Sequence, residues 1–193
     1  MNPNTISPDN TGAIVALVAI IAVVVVGLVI WSIYRRRRTQ TLKQQFGPEY
    51  QQAVESYGSR KAERELEARQ KRVKTFDLRP LTPEQQQRFG ASWKDVQARF
   101  VDNPSAAVNE ADALVKEVMQ ARGYPMVDFE QRSADISVDH PHVVSHYRAA
   151  RDIALANRQG RTSTEDLRQA LVHYRALFDE LLESVPLRKV NVR

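Results

Sequence analysis

The sequence predicts an all-α membrane protein: an N-terminal transmembrane helix, a basic helical juxtamembrane arm and a C-terminal helical bundle of about four to five helices. Three observations predict this class. Residues 13–33 hold 19 apolar side chains in 21 positions. Downstream apolar residues recur three and four positions apart, as they do on one face of a helix. No stretch alternates polar and apolar residues between turn signals, as a half-buried strand would.

The first element is a membrane span over residues 13–34, preceded by a short external tail, 1–12. No charged residue lies between Asp9 and Arg35. A helix of this apolar run is about 31 Å long, close to the hydrocarbon thickness of a bilayer. A cleaved signal peptide would need a positive N-terminal region and a shorter apolar core. Asp9 is the only charge in the first ten residues, so the pattern favours a permanent anchor.

Four consecutive cations orient this span. Arg35, Arg36, Arg37 and Arg38 directly follow the apolar run, and such clusters stay on the cytoplasmic side. We therefore expect a single-pass protein of the bacterial inner (cytoplasmic) membrane, with its N-terminus outside and its C-terminal domain in the cytoplasm. Its first partner is then the lipid bilayer, and the four arginines are predicted to contact anionic headgroups.

A second feature of the span concerns oligomers. Gly12 and Ala16 form a small-x-x-x-small pair, which can seat a second copy of the helix. A chance pair in a segment rich in Ala, Val and Gly explains the same pattern, so the oligomeric state stays open.

The basic arm spans residues 35–80. Residues 35–74 carry twelve Lys and Arg against five Glu, whereas the rest of the chain is nearly balanced. Pro48 and Gly58 predict a helix over residues 48–57, and a second, highly charged helix is expected over 59–74. The arm is either a solvated spacer or a surface attracted to anionic lipid. Nucleic acid is not expected, because no aromatic residues are interleaved for stacking.

The bundle is predicted over residues 81–184, followed by a tail, 185–193. Thr82 and Gln85 form a capping box around Pro83, and Ser163 stands three residues before Asp166 in the same way. Asn103 before a proline starts another helix. A further helix is predicted to begin at residues 139–141.

The first helix of this region has a buried face built around Trp93, with apolar neighbours three and four residues away. They are Phe89, Val96 and Phe100. Gly90 lies inside the same helix at a cost of about 1 kcal/mol relative to Ala, which predicts close packing at that position.

The chain resembles a family of uncharacterised bacterial single-pass membrane proteins with a cytoplasmic helical domain. The segments that carry the resemblance are FGPEY, RPLTPEQQQRF, VQARFVDNPSAAVNEADALVKEVMQARGYP, SVDHPHVVSHYRAARDIA and STEDLRQALVHYRALFDELLE. They cover about residues 40–183. The resemblance implies the architecture, and it carries no catalytic or binding residue over to this chain.

One cluster invites a chemical role. His140, His142 and His146 form a His-x-His-x-x-x-His pattern, and His142 and His146 are expected to share one helix face, as metal-ligating pairs do. The pattern lacks the Glu of a His-Glu-x-x-His protease. The chain has no cysteine, which excludes thiol catalysis and cysteine-ligated metals.

These observations favour a membrane-tethered cytoplasmic scaffold or adaptor that binds an unknown protein partner, without catalysis and without a cofactor. Two alternatives stay open. One is a metal-binding module or metal-dependent enzyme built on His140, His142 and His146. The other is an electrostatic organiser of the membrane surface that acts through the basic arm.

Overall fold

The computed structural model describes residues 8–183, with side chains from Ile14 onwards. Over this range the regular secondary structure consists of eight helices and no strand, which confirms the all-α class there. The predicted tail 185–193 and residues 1–7 lie outside the described range. The helices are α1 Pro8–Phe46, α2 Pro48–Tyr57, α3 Ser59–Val73, α4 Pro83–Asp102, α5 Pro104–Ala121, α6 Phe129–Asp139, α7 Val144–Arg158 and α8 Thr164–Glu183.

The chain divides into two compact units, the first ending at Gln44 and the second beginning at Gln45. The first unit contains α1 as far as Gln44, and this helix is already formed at Pro8 and continues without a break past Tyr34. Within the described residues, this is the helix long and apolar enough to cross a membrane. Its large apolar side chains from residue 14 to 33 are 49–73% exposed. A helix that is apolar all round is typical of a segment surrounded by lipid.

The second unit opens with the helix pair α2 and α3. Pro48 occupies the first position of α2, and Gly58, with φ at 75°, turns the chain into α3. The helices predicted at 48–57 and 59–74 are thus confirmed. The two helices pack against each other, and α3 also packs on α6. Both therefore belong to the compact second unit.

The next two helices begin at the caps that the sequence predicts. The Thr82 hydroxyl accepts from the backbone N–H of Gln85 at 3.2 Å, and the Gln85 side chain accepts from the backbone N–H of Thr82 at 2.9 Å. The Asn103 side chain accepts from the backbone N–H of Ala106. These bonds satisfy backbone donors that have no partner inside their helix, and they fix where α4 and α5 start.

The main apolar core lies between α4, α5, α7 and α8. Helix α5 packs against α4, α7 and α8, and α7 packs against α8. Trp93 of α4 is 4% exposed, and its ring stacks on Phe178 of α8 with centroids 4.7 Å apart. The stacked pair joins the first and last helices of this group.

Two glycines play opposite parts in the packing. Gly123, with φ at 92°, lets the segment between α3 and α4 pass close to the end of α5, because a Cβ there would stand 2.3 Å from the carbonyl oxygen of Asp77. No described atom lies within 4 Å of a Cβ placed on Gly90. The predicted close packing at Gly90 is therefore wrong, since that part of α4 faces open space.

Candidate functional site

The arginine run predicted to contact headgroups lies on α1. Arg35, Arg36, Arg37 and Arg38 are all exposed. Four consecutive helical residues point in four directions about the axis, so their positive charge surrounds the helix. The guanidinium of Arg35 also stands over the Trp31 ring, 5.6 Å from its centroid. Contact of these four residues with lipid stays a prediction.

The structure separates the three histidines of the predicted cluster. Helix α6 continues through Asp139 and α7 begins only at Val144, so the predicted helix start at residues 139–141 is wrong. His142 consequently lies exposed in the turn between the helices, and His142 and His146 do not share a helix face. No group of three or more His, Asp or Glu side chains in the described chain is placed to hold a metal ion.

His140 is tied to the end of α8. It is 6% exposed, and its Nδ1 atom lies 2.9 Å from Oε1 of Glu180. Burial lowers the pKa of His140 below 6.5, and the nearby Glu180 carboxylate opposes part of that shift. Burial thus favours the neutral form of the His140 imidazole, and the contact with Glu180 links the end of α6 to α8.

His146 meets a residue that the sequence analysis did not connect with it. Its Nδ1 atom lies 2.9 Å from Nδ1 of His173 on α8, and both side chains are partly exposed. Burial, followed by the charge of His146, lowers the pKa of His173. The two histidines are 27 positions apart in the sequence, so no local motif reveals this pair.

A second missed group is a buried ion network around Glu49 in α2. The Glu49 carboxylate, 3% exposed, accepts from both terminal nitrogens of Arg148, at 2.5 and 3.0 Å, and from Arg69 at 3.4 Å. Arg69 also donates to the Ser137 hydroxyl at 3.4 Å. The network joins the two arm helices to α7 through the buried Glu49 carboxylate, and to α6 through the Ser137 hydroxyl.

Two further buried carboxylates hold helices together in the same way. Asp135 of α6 accepts from Nε of Arg72 at 2.7 Å. Asp112 of α5 accepts from Lys116 at 2.5 Å and from the Tyr174 hydroxyl at 3.1 Å. Burial is the main cause that raises the pKa of Tyr174, and Asp112 adds to it. These carboxylates accept bonds from fixed neighbours, an arrangement that supports packing.

A polar cleft of about 180 Å³ opens beside the Glu49 network. Its lining comes from α2, α3, α6 and α7, and consists of Glu49, Gln52, Ala53, Ser56, Tyr57, Arg69, Glu130, Ala134 and Arg148. The two guanidinium groups bind Glu49, and Arg69 also pairs with Glu65 at 3.3 Å, so two carboxylates balance the two cations of the cleft.

Comparison with known proteins finds no matching family model, no matching curated protein and no matching solved structure. The likeness to a family of single-pass membrane proteins therefore stays an expectation from the sequence. What can be said of function rests on the chain's own geometry.

Proposed function

We propose that the chain is a single-pass protein of the bacterial inner membrane, with its N-terminus outside and a helical bundle in the cytoplasm that binds another protein without catalysis. The observation that carries the proposal is that buried carboxylates hold neighbouring helices of the second unit together. Glu49, Asp112 and Asp135 each bind cationic or hydroxyl partners on neighbouring helices. Such pairs fix the shape of a surface, as a binding module needs.

One end of the second unit offers such a surface. Asn157, near the end of α7, donates to the hydroxyl of Ser105 at the start of α5, so the α4–α5 and α7–α8 connections lie at the same end. Val101, at 82%, is the most exposed large apolar side chain that the structure describes, and Leu155 of α7 is 39% exposed. Contiguous exposed apolar patches mark interaction sites, and the proposal takes these two residues as parts of one patch.

The experiment is capture of the cross-linked full chain from its native membrane, with a matched pair of variants. Val101→Asp changes the proposed surface, and Val172→Asp changes an exposed valine in the middle of α8. We expect one protein to be captured in near-equal amount by the wild type and by Val172→Asp, and to be lost with Val101→Asp. Equal loss in both variants, or capture no better than with α1 alone, would contradict the proposal.

The surface-organiser alternative has its own support in the exposed run from Arg35 to Arg38. In the second unit, by contrast, Arg69 and Arg72 bind Glu49 and Asp135. We therefore expect residues 45–183 to bind anionic vesicles weakly and to lose that binding at physiological salt, where the screening length is about 8 Å. Tight, salt-resistant binding would favour the organiser instead.

A further inference from the structure

We propose that His146 and His173 form a binding site for a divalent transition-metal ion that prefers imidazole, of the Cu²⁺ and Ni²⁺ class. The two residues lie on neighbouring helices, α7 and α8, which pack against each other. The site uses only His146 from the His-x-His-x-x-x-His pattern, and the fold brings His173 next to it.

The distance between the ligating atoms fits such an ion. Nδ1 of His146 and Nδ1 of His173 are 2.9 Å apart. Two nitrogens bound at right angles to one ion, each at about 2.0–2.1 Å, stand about 2.9 Å from each other, and right angles are the preference of square-planar Cu²⁺ and Ni²⁺. Without an ion, one of the two Nδ1 atoms carries a hydrogen and donates a hydrogen bond to the other.

The rings are placed so that an ion can replace that proton. Their centroids are 5.1 Å apart and their planes are inclined by 36°. Binding of an ion requires each ring to rotate about its Cβ–Cγ bond, so that both Nδ1 lone pairs converge on one point beside the line that joins them. Both side chains are partly exposed, so an ion can reach them from solvent.

The ligand set selects the class of ion. Imidazole nitrogen suits copper, nickel and zinc, whereas calcium and magnesium require oxygen ligands. Since the described residues place no third His, Asp or Glu in such a group, water completes the coordination.

The test is titration of the detergent-solubilised full chain, made without a polyhistidine tag, with CuCl₂ at pH 7.5. Calorimetry gives the affinity and stoichiometry, and electron paramagnetic resonance of the Cu²⁺ counts its nitrogen ligands. His146→Gln and His173→Gln remove one ligand each. His142→Gln is the matched control, because His142 is an exposed histidine in the preceding turn.

We expect one ion per chain with two equatorial imidazole nitrogens in the wild type. Loss of either ligand should weaken binding by at least about tenfold, whereas His142→Gln should leave it unchanged. A wild-type spectrum with fewer than two imidazole nitrogens would overturn the site, even if the variants failed to fold. Equal weakening by His142→Gln, or unchanged binding in the His146→Gln, His173→Gln double variant, would do the same.

Discussion

Replacement of Trp93 by alanine tests the core that joins α4 to α8. The indole is 4% exposed and stacks on Phe178 at 4.7 Å, so truncation removes a buried ring and leaves a cavity. Truncations of this kind cost about 3–5 kcal/mol, and an aromatic pair contributes about 0.5–1.5 kcal/mol beyond its buried area. We expect the free energy of unfolding to fall by about 4 kcal/mol, a large share of the roughly 5–15 kcal/mol typical of a domain.

Trp93→Phe is the matched control. It keeps a ring against Phe178 but removes the Nε1 donor, which has no hydrogen-bond partner among the described residues. Removal of an unsatisfied buried donor stabilises the fold by about 1–3 kcal/mol, which offsets most of the cost of the smaller side chain. The net change in the free energy of unfolding should therefore be about 1 kcal/mol or less. The assay is urea unfolding of residues 45–183, followed by circular dichroism because the only tryptophan of this fragment is being changed. A cost below about 1 kcal/mol for Trp93→Ala would refute the buried stack.

Three further changes probe separate parts of the second unit. Gly90→Ala should raise the free energy of unfolding by about 1 kcal/mol, because open space surrounds that helical position, whereas Gly123→Ala should lower it, since φ is 92° there. In urea unfolding, a loss of stability in Gly90→Ala would contradict the first assignment, and a gain in Gly123→Ala would contradict the second. The pKa of His140 is lowered in the folded chain, so the unfolded chain binds this proton first as the pH falls. The free energy of unfolding should therefore be full above about pH 6.5 and fall below it. His140→Gln should reduce this fall between pH 7.5 and 5.5, and an unchanged slope would contradict the assignment. Arg148→Ala should lower the free energy of unfolding by about 2 kcal/mol in the same assay. This is less than the cost of leaving a buried charge without any partner, because Arg69 stays 3.4 Å from Glu49. No measurable change would mean that the network does not stabilise the unit.

Local signals in the sequence predicted the helices well. A capping box needs only residues three apart, and the Thr82–Gln85 bonds form as expected. Pro48 and Gly58 likewise bracket α2, because proline presets the first turn and glycine permits a positive φ. A run of apolar residues without charge similarly identifies α1 without knowledge of any contact.

Contacts between distant segments could not be predicted in this way. Glu49 and Arg148 are 99 residues apart, so the sequence shows two ordinary surface charges where the fold makes a buried pair. The same holds for His146, whose neighbour on α8 no spacing reveals. A proline after His140 predicts a helix start there, whereas the chain makes a turn before α7, and His142 lies in that turn.

A pair of reporter fusions after Arg193 tests most directly whether α1 is an anchor that leaves the second unit in the cytoplasm. One reporter is a fluorescent protein that matures in the cytoplasm, and the other is a phosphatase that is active only after export. Because the Arg35–Arg38 run follows the apolar segment, we expect membrane-bound fluorescence and no phosphatase activity. An active phosphatase, or fluorescence that stays with the soluble fraction, would contradict it.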